Sequence, residues 1–225
     1  MVSKTSLAES VRGHRVDEVR DGLAARPDLI EHRDERGRSW LHLACSVPGT
    51  PIAMAELLLD IGLGLDDAAF TEGAWRATPL WFVVARGQNP PLAEHLLRRG
   101  CKPNHSLFAA AWNEDRAMIR LLLAHGADIE EGAGETPLLG AVGWSKFGPA
   151  EELLLGGANP DARDAKGRTA LHLMLKKGSA PEHFAMFVKA GACGDIPDAE
   201  GRTAVELLRR KRDPVWKGIA GGLSA

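Results

Sequence analysis

Tyrosine is absent from this 225-residue sequence, and aromatic residues make up only 5% of it. An excess of one charge is missing too: 28 Lys and Arg stand against 30 Asp and Glu, a formal net charge of −2 with His neutral. Without a basic field, neither nucleic acid nor a membrane surface is expected as a partner. Cysteine is scarce. Cys45, Cys101 and Cys193 form no CxxC pair and are odd in number, which excludes a complete disulfide framework and suits a reducing compartment. No stretch approaches the roughly 18 consecutive apolar residues of a membrane helix. The opening MVSKTSLAES has no apolar run after its first charge, so it does not read as a secretory leader. A cytoplasmic location is the expectation. H-E-x-x-H is absent and no Cys/His cluster has zinc spacing, so no metal or other cofactor is expected.

What is present is repetition. Five apolar runs, among them LLLDIG from Leu57, LLLAHGAD from Leu121 and LLLGGAN from Leu153, close on Gly62, Gly100, Gly126, Gly157 and Gly191. Those glycines are separated by 38, 26, 31 and 34 residues, an irregular period of the length that repeat proteins use. A second element precedes each run: SWLHLAC from Ser39, TPLWFVV from Thr78, HSLFAAA from His105, TPLLGAV from Thr136 and TALHLML from Thr169, with a degenerate TAVELLR from Thr203. A third precedes several of these, as DERGR from Asp34, DAKGR from Asp164 and DAEGR from Asp198.

Each element has a physical reading. D-x-x-G is a turn in which Asp bonds nearby backbone and Gly supplies a positive φ. Thr caps a helix and Pro opens it. The small residues that follow let a neighbouring helix approach closely. The Leu-rich run is a second helix with a wide apolar stripe, and a left-handed glycine ends it.

This unit is similar to the ankyrin repeat, with its turn, two helices and T-P-L-H-x-A pattern, and the resemblance covers essentially the whole chain. It implies an all-α ankyrin repeat solenoid of helix pairs with short hairpin or turn fingers. The repeats would run about 1–33, 34–70, 71–104, 105–130, 131–163, 164–197 and 198–225 in a single domain, with charged, polar end repeats that favour a monomer. Departures from the pattern predict local changes. Asn104 runs straight into His105-Ser106-Leu107, so the fourth finger should be missing or cut to a tight bend. Val83-Val84 and Met174-Leu175 put bulk where the family has Ala-Ala and should widen or twist the stack there. Loops between paired helices are lengthened in the second, third and sixth repeats. Pro51, Pro91, Pro149, Pro181 and Pro214 should open second helices.

Chemistry is mostly missing. The resemblance gives His42 and His172, in the T-P-L-H slot, a structural role bonding between repeats. His125 sits beside a helix-ending glycine, near the negative end of the helix dipole. Cys45 and Cys101 occupy small-residue slots, and Cys193 is the thiol with the best chance of exposure. None has a base beside it in the sequence, so catalysis is not expected. EGAGETPL from Glu131 lacks the Gly-Lys-Ser/Thr ending of a phosphate loop and reads as a finger.

The resemblance implies that finger tips and the exposed side of the first helices line a concave face where a partner protein docks. The corresponding slots hold Ser46 and Val47, Ala85 and Arg86, Trp112 and Asn113, Gly143 and Trp144, then Lys176 and Lys177, with Trp75 and Arg168 among the finger residues. In a chain this poor in aromatics, Trp75, Trp112 and Trp144 suggest an interface patch, flanked by Arg86, Lys176 and Lys177. Such a patch fits another protein, in particular an acidic or extended segment of it. Alternatively, these tryptophans pack on the lengthened loops or fill the space of the missing finger. Trp40, Trp81 and Trp216 read as structural. The function expected is that of an adaptor or scaffold. The alternatives are a stoichiometric inhibitor of antitoxin type and an effector delivered to another cell.

Overall fold

A computed structural model describes residues 2–70, 76–132 and 135–223. The chain divides into two compact units, Met1–Ala109 and Ala110–Ala225. Among the described residues the α-helices pair in chain order. The first unit holds α1 (Lys4–Arg12) with α2 (Val16–Ala25), α3 (Trp40–Cys45) with α4 (Ile52–Asp60), and α5 (Pro79–Phe82) with α6 (Pro90–Arg98). Helix α7 (Leu107–Trp112) lies at the division and precedes α8 (Arg116–Ala124). The second unit continues with α9 (Pro137–Gly143) and α10 (Phe147–Leu155), α11 (Ala170–Lys177) and α12 (Phe184–Lys189), then α13 (Ala204–Arg209) and α14 (Pro214–Leu223).

Local chemistry sets where these helices begin and end. Ser39, Thr78, Thr136 and Thr203 each accept a hydrogen bond from the third backbone N–H of the helix they open, and Pro79 and Pro137 follow two of them. Gly62, Gly100, Gly126, Gly157 and Gly191 all stop second helices at positive φ, between 75° and 101°, where a Cβ would be strained. The prolines divide. Pro90 and Pro91 open α6, and Pro214 opens α14. Pro181 opens a short 3-10 turn ahead of α12. Pro51 instead stands one residue outside α4, and Pro149 is the third residue of α10, where its missing N–H still costs no helical bond.

First helices pack on first helices and second on second. In the first unit α3 touches α1 and α5, while α4 touches α2 and α6. In the second unit α11 touches α9 and α13, while α12 touches α10 and α14. Small or slender residues such as Ala44, Cys45, Ala141 and Val142 sit at 0–1% exposure on the first helices. Leu58, Leu96, Leu122, Leu153 and Phe187 are fully buried on the second. Each large apolar side chain buried this way contributes about 1.5–3 kcal/mol.

The fingers are turns rather than sheets. Only two isolated antiparallel bridges occur among the described residues, Ala69 with Ala77 and Pro197 with Thr203. The D-x-x-G-R sequence builds the same turn three times. Asp164 accepts from the backbone of Lys166 at 2.8 Å and of Arg168 at 2.9 Å, and Arg168 closes the loop with side-chain bonds of 2.8 and 2.6 Å to the other carboxylate oxygen. Asp34 with Arg38, and Asp198 with Arg202, repeat this arrangement. Residues 101–106 hold a tight turn at Asn104-His105, with His105 at φ 66°, in place of a finger.

The Arg202 guanidinium bonded to Asp198 holds its carboxyl down at about 2, with backbone N–H bonds helping against desolvation. A carboxylate with a depressed folded pKa stabilises the fold above its ordinary value of 3.8 and loses that contribution as pH falls towards 2. Asp198→Asn is therefore expected to lower the melting temperature at neutral pH. The gap to wild type should narrow between about pH 4 and 2, as read by thermal melts across that range.

The third repeat carries one residue more in its first-helix region than the fifth and sixth. Thr78 is followed by the left-handed Gln88 (φ 44°) ten positions on. The same interval is nine in Thr136 to Ser145 (φ 61°) and Thr169 to Gly178 (φ 69°). The extra residue is absorbed as a π turn, Val83–Gly87, with both valines buried. The lengthening expected in the loop thus lies inside the helix, and only Gln88 and Asn89 separate it from α6.

Candidate functional site

Every first helix described here from α1 to α11 is followed by a residue in the left-handed region: His14, Gly49, Gln88, Glu114, Ser145 and Gly178. Directly before Glu114, Ser145 and Gly178 stand the slots Trp112-Asn113, Gly143-Trp144 and Lys176-Lys177. In the second unit those slots bring Trp112 and Trp144 together. Their rings meet edge to face, 5.0 Å between centroids at 89°, a favoured aromatic geometry. Trp112 remains 56% exposed and Trp144 is half-buried. The Lys146 ammonium lies 6.0 Å from the Trp112 ring centre and pairs with Glu114 at 2.5 Å. Lys177 donates to the Ser145 hydroxyl at 3.3 Å, which carries the surface on to exposed Lys176. Asn113 is half-buried between Trp112 and Glu114.

The remaining expected residues fall elsewhere. Trp75 lies outside the described residues. Arg86 is exposed in the first unit, on the rim of a groove of about 280 Å³ with Arg36, Arg38, Phe70 and Trp81. There the Arg36 guanidinium stands 5.7 Å over the Phe70 ring, and Phe70 itself holds φ 55°. Arg168 is engaged by Asp164, so its guanidinium braces its own finger, while the residue lines a pocket together with Lys176. Sequence reasoning passed over Lys146, Glu114 and Phe70, and it read Trp81 as structural although that ring is half-buried on the groove. Lys146 falls two positions past the slots that the repeat pattern points to. Phe70 depends on a backbone conformation that no pattern announces. Trp40 behaves as expected: it is buried, with its indole N–H donating to the Leu29 carbonyl at 2.7 Å. Trp216 covers Phe184 edge to face at 5.4 Å.

Polar groups elsewhere serve packing. His172 bridges the Thr169 hydroxyl at 3.0 Å and the Arg202 carbonyl at 3.0 Å, joining one repeat to the next finger. Glu152, only 7% exposed, takes Arg116 at 2.7 Å and Arg120 at 2.8 Å. Burial opposes its charge, and the Arg120 and Arg116 guanidinia outweigh that, holding its carboxyl below the usual range. Burial pushes the Cys101 thiol up to about 12 and the Cys45 thiol higher still, away from thiolate reactivity. No group of three or more His, Cys, Asp or Glu among the described residues is placed to hold a metal ion. No helix among them is long and apolar enough to cross a membrane.

Paired helices, capped first helices, left-handed glycine stops and turn fingers define an ankyrin repeat fold. Comparison with known proteins agrees. The ankyrin repeat domain of Bcl-3, a member of the IkappaB protein family, superposes with a TM-score of 0.78 at 21% identity, over 95% of this chain and 96% of that one. The human ASB11 ankyrin repeat domain gives 0.75 at 22% identity, over 97% and 98%. In sequence, 90 residues of this chain (39% of it) are 38% identical to Inversin of Homo sapiens, a match that spans 8% of Inversin's own length. No protein-family model matches the chain.

Proposed function

We propose that this chain is a non-enzymatic protein-interaction module whose partner docks on the first-helix ends of the second unit, centred on Trp112 and Trp144. The observation that carries this reading is the exposure of Trp112 while its ring is held by Trp144. A large apolar side chain fixed in place and left open to water costs solubility, and interface hot spots are rich in tryptophan. A preformed surface also loses little entropy on binding. Lys176 and Lys177 give the patch a basic border, which suits an acidic or extended partner segment. Capture from a lysate of the source cells tests it, with wild type and the double variant Trp112→Ala, Trp144→Ala as baits. Circular dichroism first establishes that the variant is folded. A protein retained by wild type and lost by the folded variant supports the surface. Equal capture by both baits rejects it.

A further inference from the structure

A concavity of about 610 Å³ lies in the second unit, between the sixth and seventh fingers. Its walls carry Lys166, Lys176 and Lys211, and Leu175 and Leu207 supply apolar surface. The charge accounting is uneven. Asp164 is bound by Arg168 at 2.6 Å, and Asp198 and Glu200 are bound by Arg202 at 2.8 and 2.6 Å. All three carboxylates of this region are therefore engaged by the two arginines of the finger turns, and with the three lysines five cations stand against three carboxylates. Among the described residues no carboxylate lies within ion-pair distance of the three lysines. Lys211 instead rests over the Trp216 ring, 4.1 Å from its centre.

We propose that this pocket receives an acidic, extended peptide segment, with carboxylates on Lys166, Lys176 and Lys211 and an apolar side chain against Leu175 and Leu207. The volume is that of a site for a chain segment rather than for a lone anion. The apolar wall of Leu175 and Leu207 suits a peptide with an apolar side chain rather than a polyphosphate backbone, which has none to bury. Lys176 adjoins Lys177, so the pocket continues the tryptophan surface, and the inference rests on the reading that this face takes a protein. It names the chemistry of the segment bound there.

The test uses a synthetic peptide, Glu-Glu-Leu-Glu-Glu, and the full chain, so it needs no captured partner and its outcome stands apart from the capture experiment. The indole N–H resonance of Trp216, assigned by its loss in Trp216→Phe, reports on the pocket because Lys211 covers that ring. The peptide is expected to shift this resonance, with an affinity that falls as salt is raised above about 0.1 M. Replacing exposed Lys166 and Lys176 and half-buried Lys211 together by Gln is expected to weaken binding at least roughly tenfold, in a variant first shown to be folded by circular dichroism. Equal binding by the folded triple variant would overturn the proposal. So would an equal shift by Gln-Gln-Leu-Gln-Gln, or tighter binding of inorganic phosphate or duplex DNA than of the acidic peptide.

Discussion

His42→Ala is expected to destabilise the chain by about 3 kcal/mol, the sum of a lost buried ring and lost buried hydrogen bonds. His42 is 0% exposed. Its Nδ1 accepts from the Ser39 N–H at 3.1 Å, so Nε2 carries the proton and donates to the Asp67 carbonyl at 2.9 Å. The ring meets Phe82 edge to face at 5.6 Å, which ties α3 to α5. Burial pushes its pKa below the ordinary 6.5 and keeps the imidazole neutral, the form this pattern requires. Alanine leaves the buried Ser39 N–H without its partner and a hole beside Phe82. Urea unfolding of His42→Ala beside His42→Gln checks the division: Gln restores a polar partner and should recover part of the loss. A loss under about 1 kcal/mol for Ala would mean that the histidine is not a tie between repeats.

Gly87→Ala is expected to cost a comparable amount, about 2–3 kcal/mol, through overpacking. A Cβ at Gly87 would stand 2.5 Å from the Cys45 carbonyl oxygen. That oxygen is backbone at the end of α3 and cannot rotate away, so α3 or the π turn must shift. Gly143→Ala is the contrasting control. Its Cβ would meet nothing within 4 Å, and replacing glycine in the last turn of α9 should be neutral or stabilising by up to about 1 kcal/mol. Parallel urea curves for the two variants, one shifted down and the other unshifted or shifted up, are the expected result.

The features legible in the sequence were those that a single residue dictates. A left-handed stop demands glycine, so Gly62 through Gly191 marked the second helices. A cap demands a small hydroxyl, so Thr78 and Thr136 marked the first. The fingers at Asp34, Asp164 and Asp198 were equally plain. Their arginines were readable in the same motif, since Arg38, Arg168 and Arg202 each follow Asp by four positions. Arg168 was readable as a finger residue, and only side-chain geometry reveals that it also clamps its own aspartate. The π turn needed an exact residue count from Thr78 to Gln88 and a decision that no composition supplies: whether the extra residue goes into the loop or the helix. At the site, the repeat slots picked out Trp112 and Trp144 one by one. That they touch edge to face follows from stacking two helix ends, which a one-dimensional pattern does not contain.

Hydroxyl-radical footprinting of Trp112, free and saturated with a captured partner, tests the interaction surface most directly. Free, this half-open indole should oxidise faster than buried Trp40. In the complex it should be protected several-fold, with Trp40 unchanged as the internal reference. Trp112 oxidised at the same rate in both states would contradict the account, because a partner would then be bound somewhere other than the tryptophan surface.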